Sequence, residues 1–229
     1  MGRTRDGSSD RAKGCVLFLP GRYTDKSLAY YQSLCKGRLM VAVDAGFRFF
    51  DKVDIAPDVL LGDFDSLRHI PKQLPRKTTV VEFPSAKDKT DTHLGLEYCL
   101  ERKAPQIDIV QPSIGEPDHF VCNLMLLSDI VPTSGKYRPE VRILSSTCEV
   151  RLLCDGALRI DQAWGDRVSV IPISERMTYT CRGTVFDVTD IRVLRGETIA
   201  ARNRIAGERA EFSVDGKAWV FRRYRSARR

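Results

Sequence analysis

The chain has 229 residues, 42% hydrophobic and 29% charged, and at that length it can bury a core without disulfides or a structural metal, as one large domain or two small ones. Its formal net charge of +7 lies in the ends, because residues 1–14 carry +2 and residues 222–229 carry +5. The body is neutral, which argues against a folded nucleic-acid-binding face.

Taken in chain order, the first half alternates strand and helix signals. Residues 15–19 (CVLFL) read as a buried strand, 25–36 as a helix, and 39–44 (LMVAVD) as a second strand. A short apolar run at 57–61 ends in GDFDS, and 78–83 (TTVVEF) is a further strand. Residues 90–102 carry Leu94, Leu96, Cys99 and Leu100 at near-helical spacing, with Thr90 or Asp91 as the cap. A strand at 107–111, an apolar helix at 117–130 and a strand at 141–145 complete this half. Apolar strands alternating with helices predict an α/β unit with a mostly parallel sheet covered on both faces.

From about Cys148 the pattern changes to short strands punctuated by glycines: VRLLC, ALRI, RVSVIPI, MTYTCRG, AEFSV and KAWVFRR. These predict a smaller antiparallel β domain, with Trp164 and Trp219 in its core. The expected division is a basic tail over 1–14, an α/β domain over 15–150, a β domain over 151–221 and a second solvated basic tail over 222–229.

The seven cysteines form no CxxC pair, and their odd number fits a reducing compartment rather than a disulfide scaffold or a zinc site. No apolar run approaches the ~20 residues a membrane helix needs. Residues 1–14 lack the apolar stretch of a secretory signal. A cytoplasmic protein with no membrane or specific nucleic-acid partner is therefore expected.

Acidic groups stand at the ends of predicted strands: Asp44 in VAVDAG, Asp63 and Asp65 in LLGDFDS, Asp88 and Asp91 in SAKDKTD, and Asp118 in GEPDH. One such carboxylate merely ends a strand or caps a helix, but four groups at four strand ends point to a cation between them. Ligands of open parallel sheets bind at those ends, and Mg²⁺ is held by one or two carboxylates plus substrate phosphates. On an extended strand end Asp63 and Asp65 would point to one side. Lys87 and Lys89 can face phosphate.

The series VAVDAG, PDVLLGDFDSL, AKDKTDTHLGLEYCL and DHFVCNLMLL, in this order and spacing, resembles thiamine pyrophosphokinase (thiamine diphosphokinase). The resemblance implies an N-terminal α/β catalytic domain, a C-terminal β domain, and a homodimer with thiamine bound between subunits. It assigns Asp63, Asp65 and Asp91 to Mg²⁺–ATP, places Asp44 and Asp88 close by, and completes the GDFDS turn with Ser66. It sets Asp118 and Asn123 beside nucleotide and thiamine. Phe186 falls where an aromatic packs on the thiamine rings, and Asn203 matches the Asn of an S-N segment. Asp118 or Asp91 is the expected acceptor of the hydroxyl proton.

The chain departs from the family pattern at three places. D-G-G-A-N appears as Asp44-Ala45-Gly46-Phe47-Arg48, G-G-R-x-D-H as Ile114-Gly115-Glu116-Pro117-Asp118-His119, and S-N-E as Arg202-Asn203-Arg204. Glu116 thus replaces an Arg near phosphates, and the stiff Pro117 is expected to turn it outward.

The reaction expected from this resemblance is Mg²⁺-dependent pyrophosphoryl transfer from ATP to the hydroxyethyl group of thiamine, giving thiamine diphosphate and AMP. The altered segments keep two alternatives open: a diphosphokinase for another hydroxymethyl heterocycle such as a pterin, and a non-catalytic ligand-binding homologue. A phosphohydrolase with Asp63 as covalent nucleophile would also use D-x-D after an apolar strand, but the later Lys and D-D pair it needs are missing.

Overall fold

The computed structural model describes residues 14–65, 67, 74 and 77–228. The first half is built from β1 (Cys15–Phe18), α1 (Asp25–Leu34), β2 (Leu39–Val43), α2 (Phe47–Val53), β3 (Val59–Gly62), β4 (Thr79–Glu82), α3 (Asp91–Glu101), β5 (Gln106–Val110), α4 (Pro117–Asp129) and β6 (Glu140–Leu144). Its six strands are parallel, in the order β6-β5-β1-β2-β3-β4. β1 and β3 are buried at every position, as strands covered on both faces must be.

One face packs Leu17, Val43, Leu61 and Ile109 against Leu96 of α3 and Leu127 of α4. The other is aromatic, with Phe18 stacked on Phe49 of α2 at 4.2 Å between ring centroids. Asp108, fully buried on β5, is held between Arg38 at 2.5 Å and Arg142 at 2.6 and 2.7 Å.

The second half contains β7 (Cys148–Asp161), β8 (Arg167–Pro172), β9 (Arg176–Arg182), β10 (Val188–Leu194), β11 (Asn203–Arg204) and β12 (Arg209–Arg223). β7 pairs antiparallel with β6, so the sheet runs on from one half into the other. The expected pairs of short strands are fused: VRLLC and ALRI both lie in β7, AEFSV and KAWVFRR both in β12. The register of β12 shifts between Val214 and Lys217, where Gly216 takes φ +122. The first part of β12 pairs with β9 and the rest with β8, and this change of neighbour wraps the strands around a second core that includes Phe212, Tyr179 and Val170.

The helix α2, the strand β10 and the two-residue strand β11 were not expected. α2 has only seven residues, and β10 is mostly exposed, so neither shows a sustained period. Trp219 packs against the α/β core instead and donates to Leu124 O at 3.1 Å, tying β12 to α4. Trp164 is 57% exposed and lies under Arg225 at 4.1 Å, not in a core. Residues 222–228 are also not a free tail. Arg222 and Arg223 end β12, Arg222 pairs with Asp166 at 2.8 Å, and the Arg225 backbone donates to the same carboxylate. The expected N-terminal tail lies outside the described residues, apart from Gly14.

Candidate active site

The strand order reverses at β1, with β2 on one side and β5 on the other, which puts the ligand-binding crevice at the carboxyl ends of these strands. Asp44 follows β2, and Asp63 and Asp65 follow β3. One carboxylate oxygen from each of the three lies within 4.8 Å of the other two.

The local backbone explains this convergence, and not in the way an extended strand would. Phe64 has φ +61, a left-handed conformation that is an outlier for a bulky residue. Its ring is 5% exposed among the aromatic side chains of the core. Burial of that ring holds the turn, with the largely buried Asp63 carboxylate on one side of it and the exposed Asp65 on the other. The Asp65 backbone N–H donates to Asp63 Oδ1 at 3.3 Å. Asp44 is itself at φ +46, which aspartate tolerates better than most residues. A Cβ at Gly62, whose φ is +150, would meet Asp44 Cβ at 3.2 Å. At Gly46 a Cβ would stand 1.8 Å from Phe18 O, so of the two family glycines beside Asp44 the one retained is the one β1 requires.

Lys87 reaches into this site. Its ammonium is 2.8 Å from Asp63 Oδ2 and 3.0 Å from Asp91 Oδ1. The Lys87 hydrogen bond holds the Asp63 carboxyl below its ordinary range. Burial pushes Asp91 up, against the pull of Lys87. Burial also works against the charge on Lys87, but its bonds to Asp63 and Asp91 outweigh this and raise it. Asp91 opens α3, whose N-terminus is capped by Thr90 accepting from the His93 N–H at 3.2 Å. Asp91 is therefore joined to the site through Lys87 and stands outside the three-carboxylate group.

The other expected residues fall elsewhere. Asp88 and Lys89 are exposed, and Lys89 pairs with Glu97 at 2.7 Å. Asp118 forms a separate exposed group with Glu116 and His119 at the start of α4, after β5. Glu116 does turn outward: its side chain is 77% exposed and 3.5 Å from His119 Nε2. Asn123 is buried and donates to Gln111 Oε1 at 3.2 Å, bracing the loop after β5. Asn203 holds the turn of Phe186: its Oδ1 accepts from the Phe186 N–H at 3.2 Å and its Nδ2 donates to Phe186 O at 2.8 Å. Phe186 is thereby presented 71% exposed. Ser66 lies outside the described residues. The bridging position of Lys87 between two carboxylates was not read from sequence; the i, i+4 spacing of Lys87 and Asp91 was the available signal.

Residues 30–137 match the family model described as thiamin pyrophosphokinase, catalytic domain. A thiamine pyrophosphokinase of Bacillus subtilis (strain 168) is 29% identical over 182 residues, covering 76% of this chain and 82% of the relative. Over its catalytic segment the chain is thus similar to the thiamin pyrophosphokinase family. Solved structures show the same fold over nearly the whole chain. The thiamine pyrophosphokinase from Bacillus subtilis superposes with a TM-score of 0.77 at 24% identity, covering 93% of this chain and 99% of that one. The one from Geobacillus thermodenitrificans gives 0.76 at 23%, covering 93% and 98%. Yeast thiamin pyrophosphokinase gives 0.69 at 14%, covering 92% and 86%. The family-model match spans the segment that carries all four acidic motifs, from Asp44 to Asp118.

Proposed function

We propose that this chain is a thiamine pyrophosphokinase, transferring the pyrophosphoryl group of ATP to the hydroxyethyl oxygen of thiamine with release of AMP. The observation that carries the reading is the convergence of Asp44, Asp63 and Asp65 at strand ends within the segment that matches the family's catalytic domain. The donor set is all carboxylate oxygen, which suits a hard divalent cation such as Mg²⁺. When bound there, Mg²⁺ offsets charge on the phosphates and orients them. Asp44, Asp63 and Asp65 would hold it.

Lys87 is placed to neutralise Asp63 and Asp91 and to turn its ammonium onto phosphate oxygens when these arrive. Asp91, kept high by burial, is the carboxyl suited to take the proton of the attacking hydroxyl. Phe186, exposed and braced by Asn203, offers a flat apolar surface for the acceptor rings of a second subunit, and we infer a homodimer on that basis. Among the described residues no helix is long and apolar enough to cross a membrane, and the cysteines are free, which supports a cytoplasmic setting.

The test is incubation of the full chain with ATP, Mg²⁺ and thiamine, followed by chromatography. The expected result is equimolar AMP and thiamine diphosphate, lost with EDTA. ADP and thiamine monophosphate, or no product with thiamine but turnover with a hydroxymethyl pterin, would overturn it.

A further inference from the structure

A cavity of about 730 Å³ opens at the same end of the sheet but over different strands. It lies beyond β5 and β6 and is closed by the faces of β8 and β12. The three carboxylates belong to the ends of β2 and β3. With strands ~4.8 Å apart and β1 intervening, the two places are separated by roughly 10 Å or more.

The interior is apolar and partly aromatic, with Phe120 of α4, Phe221 of β12 and Ile171 of β8. Arg167, Arg202 and Arg223 also line it. Arg167 stands directly opposite Arg223 on one side and Arg204 on the other. Like charges in direct cross-strand register repel. Elsewhere in the β unit Arg151, Arg209 and Arg222 each have a carboxylate partner. Among the described residues no ion pair joins Arg167, Arg202 or Arg223 to any carboxylate. Arg202 is also held in a left-handed backbone conformation, φ +60, with its N–H bonded to Ser169 Oγ at 2.9 Å. Strain of this kind persists where the surroundings fix it and gathers at ligand sites.

A volume of this size matches a small-molecule pocket. Guanidinium forks suit phosphate, and their planes and the two Phe rings suit a flat ring system. A cationic acceptor such as thiamine would be repelled. We propose that this cavity is a binding site for a heteroaromatic phosphate, distinct from the carboxylate site.

AMP is the probe, titrated calorimetrically into the full chain in EDTA, which removes any divalent cation that would bridge phosphate to the carboxylate site. One site per chain is expected, with affinity falling at least tenfold in Arg167→Ala and in Arg223→Ala and unchanged in Asp63→Asn. Inorganic phosphate should bind at least tenfold more weakly than AMP. Thermal unfolding in phosphate-free buffer supplies a second reading. Arg167→Ala should melt at or above the wild-type temperature, because it relieves repulsion, and should lose the rise that AMP gives the wild type. Absence of AMP binding at millimolar concentration overturns the proposal. So does binding that Asp63→Asn abolishes and the arginine variants retain, phosphate binding as tight as AMP, or an Arg167→Ala protein that is markedly less stable without ligand.

Discussion

Lys87 Nζ and Asp63 Oδ2 are 2.8 Å apart, and both side chains are largely buried. The same ammonium is 3.0 Å from Asp91, so one cation serves two carboxylates from different elements. Opposite charges ~4 Å apart attract by about 4 kcal/mol at an effective dielectric near 20. A divalent cation arriving without nucleotide therefore meets a site in which Asp63 is already held by a lysine. Lys87→Met should bind Mn²⁺ alone at least tenfold more tightly than wild type, read by electron paramagnetic resonance. Turnover of Mg²⁺–ATP should fall at least a hundredfold, since the phosphates lose their ammonium. Unchanged Mn²⁺ affinity would show that Lys87 does not compete for the site.

Asp63 and Asp91 shift in opposite directions, and this fixes the sign of their pH effects. The folded pKa of Asp63 is depressed, so its contribution to stability is present above the unfolded carboxylate value of about 3.9 and is lost as pH falls through the folded value. The folded pKa of Asp91 is raised, so its protonated form is favoured by folding. That contribution is present at low pH and lost as pH rises through the folded value. At pH 7 ionised Asp91 is thus a net burden on the fold. Asp91→Asn should melt at or above the wild-type temperature at pH 7, with the difference shrinking below about pH 4, while turnover collapses. Thermal unfolding between pH 3 and 8 checks this, and a clearly lower melting temperature at pH 7 would contradict it.

The acidic residues and the parallel sheet were legible because both leave local marks: apolar runs of strand length, each followed by a carboxylate. The route by which Asp63 and Asp65 meet was not, because it depends on Phe64 turning left-handed to bury its ring in a cluster assembled from α2 and β1. The fusion of short strands into β7 and β12 was hidden by Gly156 and Gly216, which read as turns in sequence; Gly216 bends a continuous strand. The arginine register of β8 and β12 joins residues 56 positions apart and has no sequence signature. Trp164 looked like core by composition, yet Arg225 covers it from the solvent side.

Phe186 and Asn203 separate presentation from contact. The Phe186 ring touches little of its own chain, whereas Asn203 is buried and donates to Thr184 Oγ1 at 3.0 Å and to Phe186 O at 2.8 Å. Phe186→Ala should leave stability within about 0.5 kcal/mol and raise the KM for thiamine at least tenfold. Asn203→Ala leaves buried polar groups without partners and should cost about 1–3 kcal/mol, with a similar KM change. Denaturant melts and steady-state kinetics of both variants decide it. A Phe186→Ala enzyme with wild-type KM would remove this turn from the acceptor site.

Glu116 stands where the family pattern has an arginine, and its orientation determines what that replacement does. A carboxylate ~6 Å from a phosphate charge at an effective dielectric near 20 would oppose binding by about 3 kcal/mol, more than a hundredfold in affinity. In water-like surroundings the same pair is worth about 0.7 kcal/mol. The Glu116 side chain is 77% exposed at the N-terminal end of α4 and lies 3.5 Å from His119, so the second regime applies. Pro117 opens the helix with a fixed φ and sets this exit direction. Glu116→Ala should therefore change ATP affinity less than tenfold. Glu116→Arg, which supplies the family charge from the same outward position, should also gain less than tenfold. Isothermal titration of ATP with Mg²⁺ into the three proteins measures both. A gain above a hundredfold in either variant would place Glu116 against the phosphates, and combined with an inert wild type it would make this chain a ligand-binding homologue rather than a working pyrophosphokinase.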